Sequence, residues 1–581
     1  MTRYAFDDFC LDVAARALSR SGVPVALTPR VFDTLLHLLE RSGELVDKDE
    51  LMQAVWPSRV VEENNLNQAI STLRRVLGET RGEHRYILTV PGLGYRFVGS
   101  VHATSSVGPM PATKPLRSLA VLPFKLLQPA GDEALQTGMA DTLITRLSGI
   151  GELVVRPLSA VCRFGGQQRD PLEVGRRLGV DAVLDGTIQQ VATRARVSMR
   201  LLNVAEGRQQ WAEIFDAQAD DLFALQDAVA EKAAAALALR LTYDQRIRLT
   251  RRDTENPEAW RCYALARFFV EQRSPSALKR AMDSFKQALS LDPGYALAHA
   301  ELSDVYTIQG VMGARPPHEV GPLAREAALH ALAIDERLPV AHYALGHALV
   351  QYDRDWAGAE LAYRRALELD PNCTNAHHRY AILLMTSGRP EEAFAQIRRA
   401  RELDPSSLPI DVTEGFLYYW DRQYARAIAH LRDTLEREPH FWMAHYWLAQ
   451  VLGSHGEHAA AMASAQRVNE LLGNDGASWL IAWTHAVAGR RDEAMAQRDV
   501  LLERSRHRYV PPYDIVQVHA GLGDVEQVFA WLERAEQDRS RHLDTLGVNP
   551  IMDAFRADPR MADMYARVGI TSVARSPAPR R

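Results

Sequence analysis

Cysteine is scarce in this chain, with four in 581 residues. Cys10, Cys162, Cys262 and Cys373 stand far apart and match neither a CxxC pair nor a zinc-ligand spacing. That pattern excludes a disulfide scaffold and fits reduced thiols, so a cytoplasmic location is expected. Long apolar runs are missing as well. No segment approaches the roughly 20 apolar residues of a bilayer-spanning helix, and no basic start with an apolar stretch marks a leader. Nor is there a large excess of one charge. A net value of −5 rules out a polycation, so nucleic-acid contact would have to come from a local patch. Walker, GxGxxG and GxSxG patterns are absent, and no Ser-His-Asp or Cys-His constellation stands at a recognisable spacing. An enzyme is therefore not expected, and no catalytic residue, metal or cofactor is assigned.

What is present starts with the run Asn64 to Leu77, NNLNQAISTLRRVL. It puts Leu66, Ile70, Leu73 and Leu77 on one helical stripe. The other face carries Gln68, Ser71 and Arg75, flanked by Asn67, Thr72 and Arg74. These amides, hydroxyls and guanidiniums suit base edges and phosphates in a major groove. Beyond it Tyr86 to Val98, YILTVPGLGYRFV, reads as two short strands around a Pro-Gly-Leu-Gly turn. Alone, an amphipathic helix with a polar face is usually just solvated; the hairpin beside it favours a winged helix. Charge agrees, since residues 1–63 hold 7 Lys/Arg against 11 Asp/Glu while 64–100 hold 5 against 2. Positive charge thus gathers on the helix and hairpin.

Upstream lie VALTPRVFDTLLHLL (25–39) and LVDKDELMQAVW (45–56), then VVEENNLNQ (60–68) and the GYRF ending (94–97). With these pieces in order, the first hundred residues resemble the OmpR/PhoB-type winged-helix DNA-binding domain. The resemblance implies an amino-terminal sheet from Tyr4 to Leu18, three helices and a wing. It implies that the third helix enters the major groove, with Asn64, Asn65 and Asn67 approaching from its start. Gln68, Ser71, Thr72, Arg74 and Arg75 would then read bases and phosphates, and Thr89, Tyr95 and Arg96 would fix the wing. The loop at Trp56, Pro57 and Ser58 is where such activators can meet RNA polymerase. Val61 stands where the family often has a Ser or Thr cap; Glu62 and Glu63 are expected to favour the positive end of the helix dipole. Lacking a spanning segment, the chain resembles the soluble HilA-like arrangement rather than the membrane-anchored CadC- and ToxR-like ones.

Residues 100–117, SVHATSSVGPMPATKPLR, read as a flexible linker. Strands are then expected at Ser118–Phe124, Glu152–Arg156, Asp181–Gln190 and Arg194–Asn203, with helices at Ala140–Leu147, Leu172–Leu178 and Leu222–Leu241. The pieces AVLPF (120–124), GMADTLI (138–144), LGVDAVLDGT (178–187) and WAEIFD (211–216) with DLFALQD (221–227) resemble a TolB-like α/β domain. Gly138, Gly179 and Gly186 form no phosphate-cradle pattern and are read as turn glycines. Asp181 and Asp185 lack a His, Lys or metal partner at useful spacing and are read as solvated or turn-capping.

The remainder repeats. Trp260, His299, His342, His377, Asp411, His445, Trp479 and Tyr513 recur at spacings of 39, 43, 35, 34, 34, 34 and 34. With HYALG (342–346), the small residues Ala359 and Ala366, and unit-ending Pro293, Pro371, Pro405 and Pro439, this is the tetratricopeptide period. Insertions are expected near 273–276 and 312–322, and NPIMDAFRADPRM (549–561) resembles a terminal cap. The ladder His299, His342, His377 and His445 is read as inner packing rather than a metal site, since each ring belongs to a different repeat. Phe416, Tyr418, Tyr419, Trp420, Phe441, Trp442, Tyr446 and Trp447 are divided between core and a concave surface that could grip a peptide.

The expectation is therefore a multidomain α+β chain. It holds a winged helix-turn-helix domain at 1–100, a flexible linker at 101–117, a small TolB-like α/β domain at 118–243 and an all-α tetratricopeptide solenoid with a terminal cap at 250–570. The expected function is that of a bacterial, sequence-specific transcriptional regulator. Its partners would be double-stranded promoter DNA, RNA polymerase, and an effector or protein on the later domains, with no membrane. A homodimer on repeated half-sites is left open. Two rivals stand beside it. One is a repeat scaffold with secondary DNA binding. The other is an enzyme within 118–242, although a cyclase would need metal-binding aspartates on a Phe-x-Asp-type strand that this segment lacks.

Overall fold

The computed structural model describes the chain except residues 1, 14–16, 21–22, 26, 56–62, 80–83, 100, 106–115, 128–132, 151–152, 165–169, 192–193, 219–221, 238–248, 250, 273, 474–476 and 574–581. The chain divides into two compact units, 1–115 and 116–581.

The first unit opens on β1 (Thr2–Phe6), β2 (Phe9–Asp12), β3 (Ala17–Arg20) and β4 (Val23–Val25). Helix α1 (Pro29–Glu40) starts on a proline that needs no intrahelical donor and buries Val31, Phe32, Leu35, Leu38 and Leu39. Helix α2 (Lys48–Val55) buries Leu51 and Val55. Helix α3 (Glu63–Leu77) buries Leu66, Ile70, Leu73 and Leu77, the stripe its spacing predicts. Strands β5 (Val46–Asp47), β6 (Ile87–Val90) and β7 (Gly94–Phe97) form a second sheet in the order β5-β7-β6.

The expected linker needs a correction at its start. Residues His102–Ser105 form β8, which pairs antiparallel with β1 and ends the first sheet in the order β4-β3-β2-β1-β8. The sequence HATS has no apolar alternation to betray a strand. Its stabilisation comes from backbone hydrogen bonds to β1, which side-chain patterning does not record.

The second unit begins with β9 (Ser118–Val121), β10 (Lys125–Leu126), β11 (Val154–Val155), β12 (Ala182–Val191), β13 (Arg194–Asn203) and β14 (Arg208–Gln218). Their order is β11-β9-β12-β13-β14, with β10 also on β12. Strands β9, β11 and β12 run parallel, whereas β12, β13 and β14 form an antiparallel meander. Strand β14 was not anticipated. It is an edge strand with Ala212, Ile214 and Asp216 open to water, so its RQQWAEIFDAQ sequence shows too little hydrophobic contrast. Helices α4 (Glu133–Ser148), α5 (Leu158–Cys162), α6 (Pro171–Leu178) and α7 (Leu222–Ala236) complete the domain.

Eight helix pairs follow among the described residues. They are α8 (Pro257–Glu271) with α9 (Pro275–Leu291), α10 (Ala296–Val311) with α11 (Pro317–Ile334), α12 (Pro339–Ala348) with α13 (Trp356–Leu369), and α14 (Thr374–Thr386) with α15 (Pro390–Leu403). The remaining four are α16 (Leu408–Trp420) with α17 (Tyr424–Arg437), α18 (Trp442–His455) with α19 (His458–Leu472), α20 (Ser478–Val487) with α21 (Arg491–Ser505), and α22 (Pro512–Leu522) with α23 (Val525–Gln537). A final α24 (Pro559–Val568) follows two short 3-10 turns.

This array touches other parts of its own chain along two edges. The α/β domain meets the carboxyl end of α15, where Arg156 donates to the carbonyls of Glu402 at 2.5 Å and Leu403 at 2.7 Å. A guanidinium there satisfies terminal carbonyls and sits at the negative end of the helix dipole. Ser159 adds a bond to Asp404 at 2.8 Å. The carboxyl-terminal segment meets the ends of first helices instead. Arg541 donates to the Val311 carbonyl at 3.1 Å, Arg539 to Tyr352 at 2.5 Å, and Arg422 to Val548 at 2.5 Å and Asp553 at 2.6 Å.

Candidate DNA-binding interface

On α3 the apolar stripe faces the core, and Asn64, Gln68, Ser71 and Arg75 form one exposed row at i, i+4, i+7 and i+11. Asn65 is exposed and Thr72 half-buried on the flank. Arg75 makes no ion pair among the described residues. Asn67 and Arg74, two turns apart, lie on the flank turned toward the hairpin. The Tyr95 hydroxyl donates to Asn67 Oδ1 at 2.7 Å. The Arg74 Nη2 donates to the Ile87 carbonyl and to Thr89 Oγ1, both at 2.8 Å.

These bonds separate the expected reading residues into two groups. Asn64, Gln68, Ser71 and Arg75 present their side chains to solvent. Asn67, Arg74, Thr89 and Tyr95 bond to one another across the seam between helix and wing, and Tyr95 is buried. Arg96 is half-buried. Trp56, Pro57 and Ser58 lie outside the described residues, as do Val61 and Glu62.

Two residues that the sequence reading passed over complete the seam. Glu79 accepts from the backbone N–H groups of Tyr86 and of Ile87, the latter at 2.9 Å. Its Oε2 lies 3.4 Å from Arg74 Nε, with the carboxylate fully buried. Gly78, at φ +78°, turns the chain at the end of α3 and so aims Glu79 back at the hairpin. A Gly-acid pair directly after a helix was the available signal. On the far side, Tyr86 donates to Asp7 at 2.7 Å; burial and that bond push its phenol up to about 12. The wing turn leaves Leu93 exposed at its tip.

Other singled-out residues take structural positions. His377 is buried, and His299, His342 and His445 are partly buried. Each Nε2 donates to the carbonyl six residues earlier: His299 to Pro293 at 3.0 Å, His342 to Glu336 at 2.8 Å, His377 to Pro371 at 3.0 Å and His445 to Pro439 at 3.0 Å. They close the turns between repeats, and burial holds His299 and His445 below the usual imidazole range. Among the described residues no group of three or more His, Cys, Asp or Glu is placed to hold a metal.

Asp181 is not simply solvated; it accepts from Ser118 Oγ at 2.9 Å and from the Ser118 and Arg117 backbones. Asp185 is buried and accepts from Arg200 at 2.8 Å. Of the three glycines only Gly179 is a turn residue, at φ +59°. A Cβ on Gly138 would lie 2.5 Å from Ala264 Cβ where α4 crosses α8, and one on Gly186 would meet the Phe124 ring at 2.6 Å. Phe416, Tyr419, Trp420 and Trp447 belong to the repeat core. Tyr418 stacks on Phe394 beneath Arg426.

Comparison with known proteins follows the same order along the chain. Residues 22–97 match the family described as transcriptional regulatory protein, C terminal. Residues 115–232 match the HilA/YgeH-like transcriptional regulator, second domain, and 343–407 and 417–475 match the tetratricopeptide repeat. Transcriptional regulator HilA of Salmonella typhimurium is 27% identical over 424 residues, 72% of this chain and 73% of that protein. Transcriptional activator CadC of Escherichia coli is 37% identical over 82 residues, 14% of this chain and 16% of that protein. A Rhizobium meliloti protein whose name carries adenylate cyclase 3 is 31% identical over 245 residues, covering 42% and 41% respectively. No helix among the described residues is long and apolar enough to cross a membrane.

Proposed function

Because the chain is a transcriptional regulator of the HilA/CadC type, with an OmpR/PhoB-type DNA-binding domain and tetratricopeptide repeats, we propose that it reads promoter DNA through α3 and the wing. Gln68 and Ser71 read base edges, Arg75 contacts phosphate, and Asn64 and Asn65 approach from the start of the helix. Asn67, Thr72, Arg74, Thr89, Tyr95 and Arg96 support that surface. The observation carrying this reading is the single exposed polar row on α3, set beside a hairpin bonded to the same helix at two places.

The rest of the map belongs to the same proposal. Residues 118–243 form a TolB-like domain and 250–570 a repeat array, and together they take an effector or a protein partner. The stretch 56–58 meets RNA polymerase, two copies bind repeated half-sites, and the chain works as a regulator in the cytoplasm rather than as an enzyme. Mapping of bound sites across the genome, followed by footprinting of the full chain, tests it. Sharp promoter peaks with one shared sequence support the reading. Diffuse occupancy would return the scaffold reading, and turnover of nucleotide by the purified chain would return the enzyme.

A further inference from the structure

Arg74 and Arg75 are neighbours in sequence and opposites in surroundings. The Arg75 side chain stands in the exposed row, whereas the Arg74 guanidinium is committed on three sides within the domain. Its Nη2 holds two oxygens of β6, and its Nε faces Glu79. The buried Glu79 carboxylate needs compensation, and it finds it in two backbone N–H groups and the Arg74 charge. That charge is therefore largely neutralised before any phosphate approaches.

The second contact between helix and wing, from Tyr95 to Asn67, lies seven residues earlier on α3. At about 1.5 Å per residue the two contacts stand roughly 10 Å apart along the axis. One contact would leave the hairpin free to swing; two at that separation fix its orientation.

We propose that Arg74 is a positioning residue: with Glu79 it locks the wing to the recognition helix, so both reach DNA as one rigid reader, and phosphate contact falls to Arg75. This rests on the DNA-binding reading above. A lysine cannot replace it, since one ammonium on a flexible stem cannot hold Ile87, Thr89 and Glu79 together.

The test uses the full chain in a salt titration and a hydroxyl-radical footprint on a bound promoter fragment, with amide exchange of the free protein beside them. Arg75→Ala is expected to flatten the salt dependence by about one unit of slope and to keep the footprint pattern. Arg74→Ala and Arg74→Lys are expected to keep the slope and lose protection beneath the wing while protection beneath α3 persists. Exchange at the amides from Ile87 to Val90 should become about ten-fold faster in both. Thr89→Val removes a single acceptor, and a smaller shift in the same direction supports the proposal if Arg74→Ala does not fold. A flattened slope in Arg74→Ala with recovery in Arg74→Lys would make Arg74 a phosphate ligand and overturn it. Unchanged exchange in the wing would overturn it too. If the parent protects no sequence, the DNA-binding reading fails, yet the exchange result still decides whether Arg74 locks the hairpin.

Discussion

The Tyr95 hydroxyl, carried on the returning strand of the wing, donates to Oδ1 of Asn67 on α3 at 2.7 Å. An asparagine on the polar side of α3 is thereby bonded to protein as well as exposed to solvent. Tyr95→Phe and Asn67→Ala should each lower the stability of the domain by about 0.5–1.5 kcal/mol in urea unfolding. The double variant should cost less than the sum, because one interaction is removed twice. A change in base preference in Asn67→Ala but not in Tyr95→Phe would show that Asn67 reads DNA directly.

Gln68 and Ser71 stand exposed on the same row with no competing partner among the described residues. Gln68→Ala should relax preference at one base position, by about 1–3 kcal/mol if the amide makes a bidentate contact. Selection from a randomised DNA pool measures this. Uniform weakening across all sequences would assign Gln68 to the backbone instead.

Strand β8 sets where a working fragment must end. A fragment of residues 1–115 retains the pairing of Thr2 with Ser105 and Ala5 with His102, whereas one ending at Val101 loses it. The longer fragment should melt higher and retain the operator preference of the full chain. Equal melting temperatures would mean that β8 adds nothing to the sheet.

Arg156 holds four carbonyls, those of Leu178 and Gly179 in its own domain and of Glu402 and Leu403 in the array. Arg156→Ala leaves them without that donor, at a cost on the order of 1–3 kcal/mol. Denaturation of the full chain should then broaden, because the contact at α15 is lost while α4 stays packed on Trp260 and Ala264 of α8. A transition that is weakened yet keeps its parent shape would refute the coupling.

Glu301 is buried against Arg267, 3.0 Å away, and burial raises its carboxyl to about 7 against an unfolded value near 4.5. The folded state keeps this proton longer, so the contribution to stability is present at low pH and declines as pH rises through that window. Glu301→Gln cannot titrate there. The stability of the parent relative to this variant should fall between about pH 4.5 and pH 7, on the order of the span between the two values. A difference that is flat, or that rises with pH, would show that Arg267 holds Glu301 ionised throughout.

Much of the candidate interface was legible because it rests on periodicity. Leu66, Ile70, Leu73 and Leu77 announce which side of α3 is buried, and the row Gln68, Ser71, Arg75 follows from the same angle. The wing was legible from its turn residues. Arg74 was not, because adjacent arginines look alike in sequence and differ only in which flank meets the hairpin. Its acceptor Thr89 is fifteen residues away, a separation no helical or strand period encodes. The histidines show the same limit: a 34-residue period locates the position, but the carbonyl six residues back depends on the turn. Strands β8 and β14 escaped because edge strands draw much of their stabilisation from backbone bonds, which side-chain patterning does not record.

Tetratricopeptide proteins ordinarily change length freely, since each unit touches only its neighbours and a duplicated unit finds a ready interface. This array has surrendered that freedom. The α/β domain and the carboxyl-terminal segment reach across it, to Leu403 from Arg156, to Val311 from Arg541, and from Asp553 to Arg422. Each helix layer adds about 8–10 Å, so one inserted pair would carry at least one end of these contacts out of reach. The number of repeats is in effect part of the tertiary structure, and adding or removing one helix pair should cost the chain at least one of these contacts.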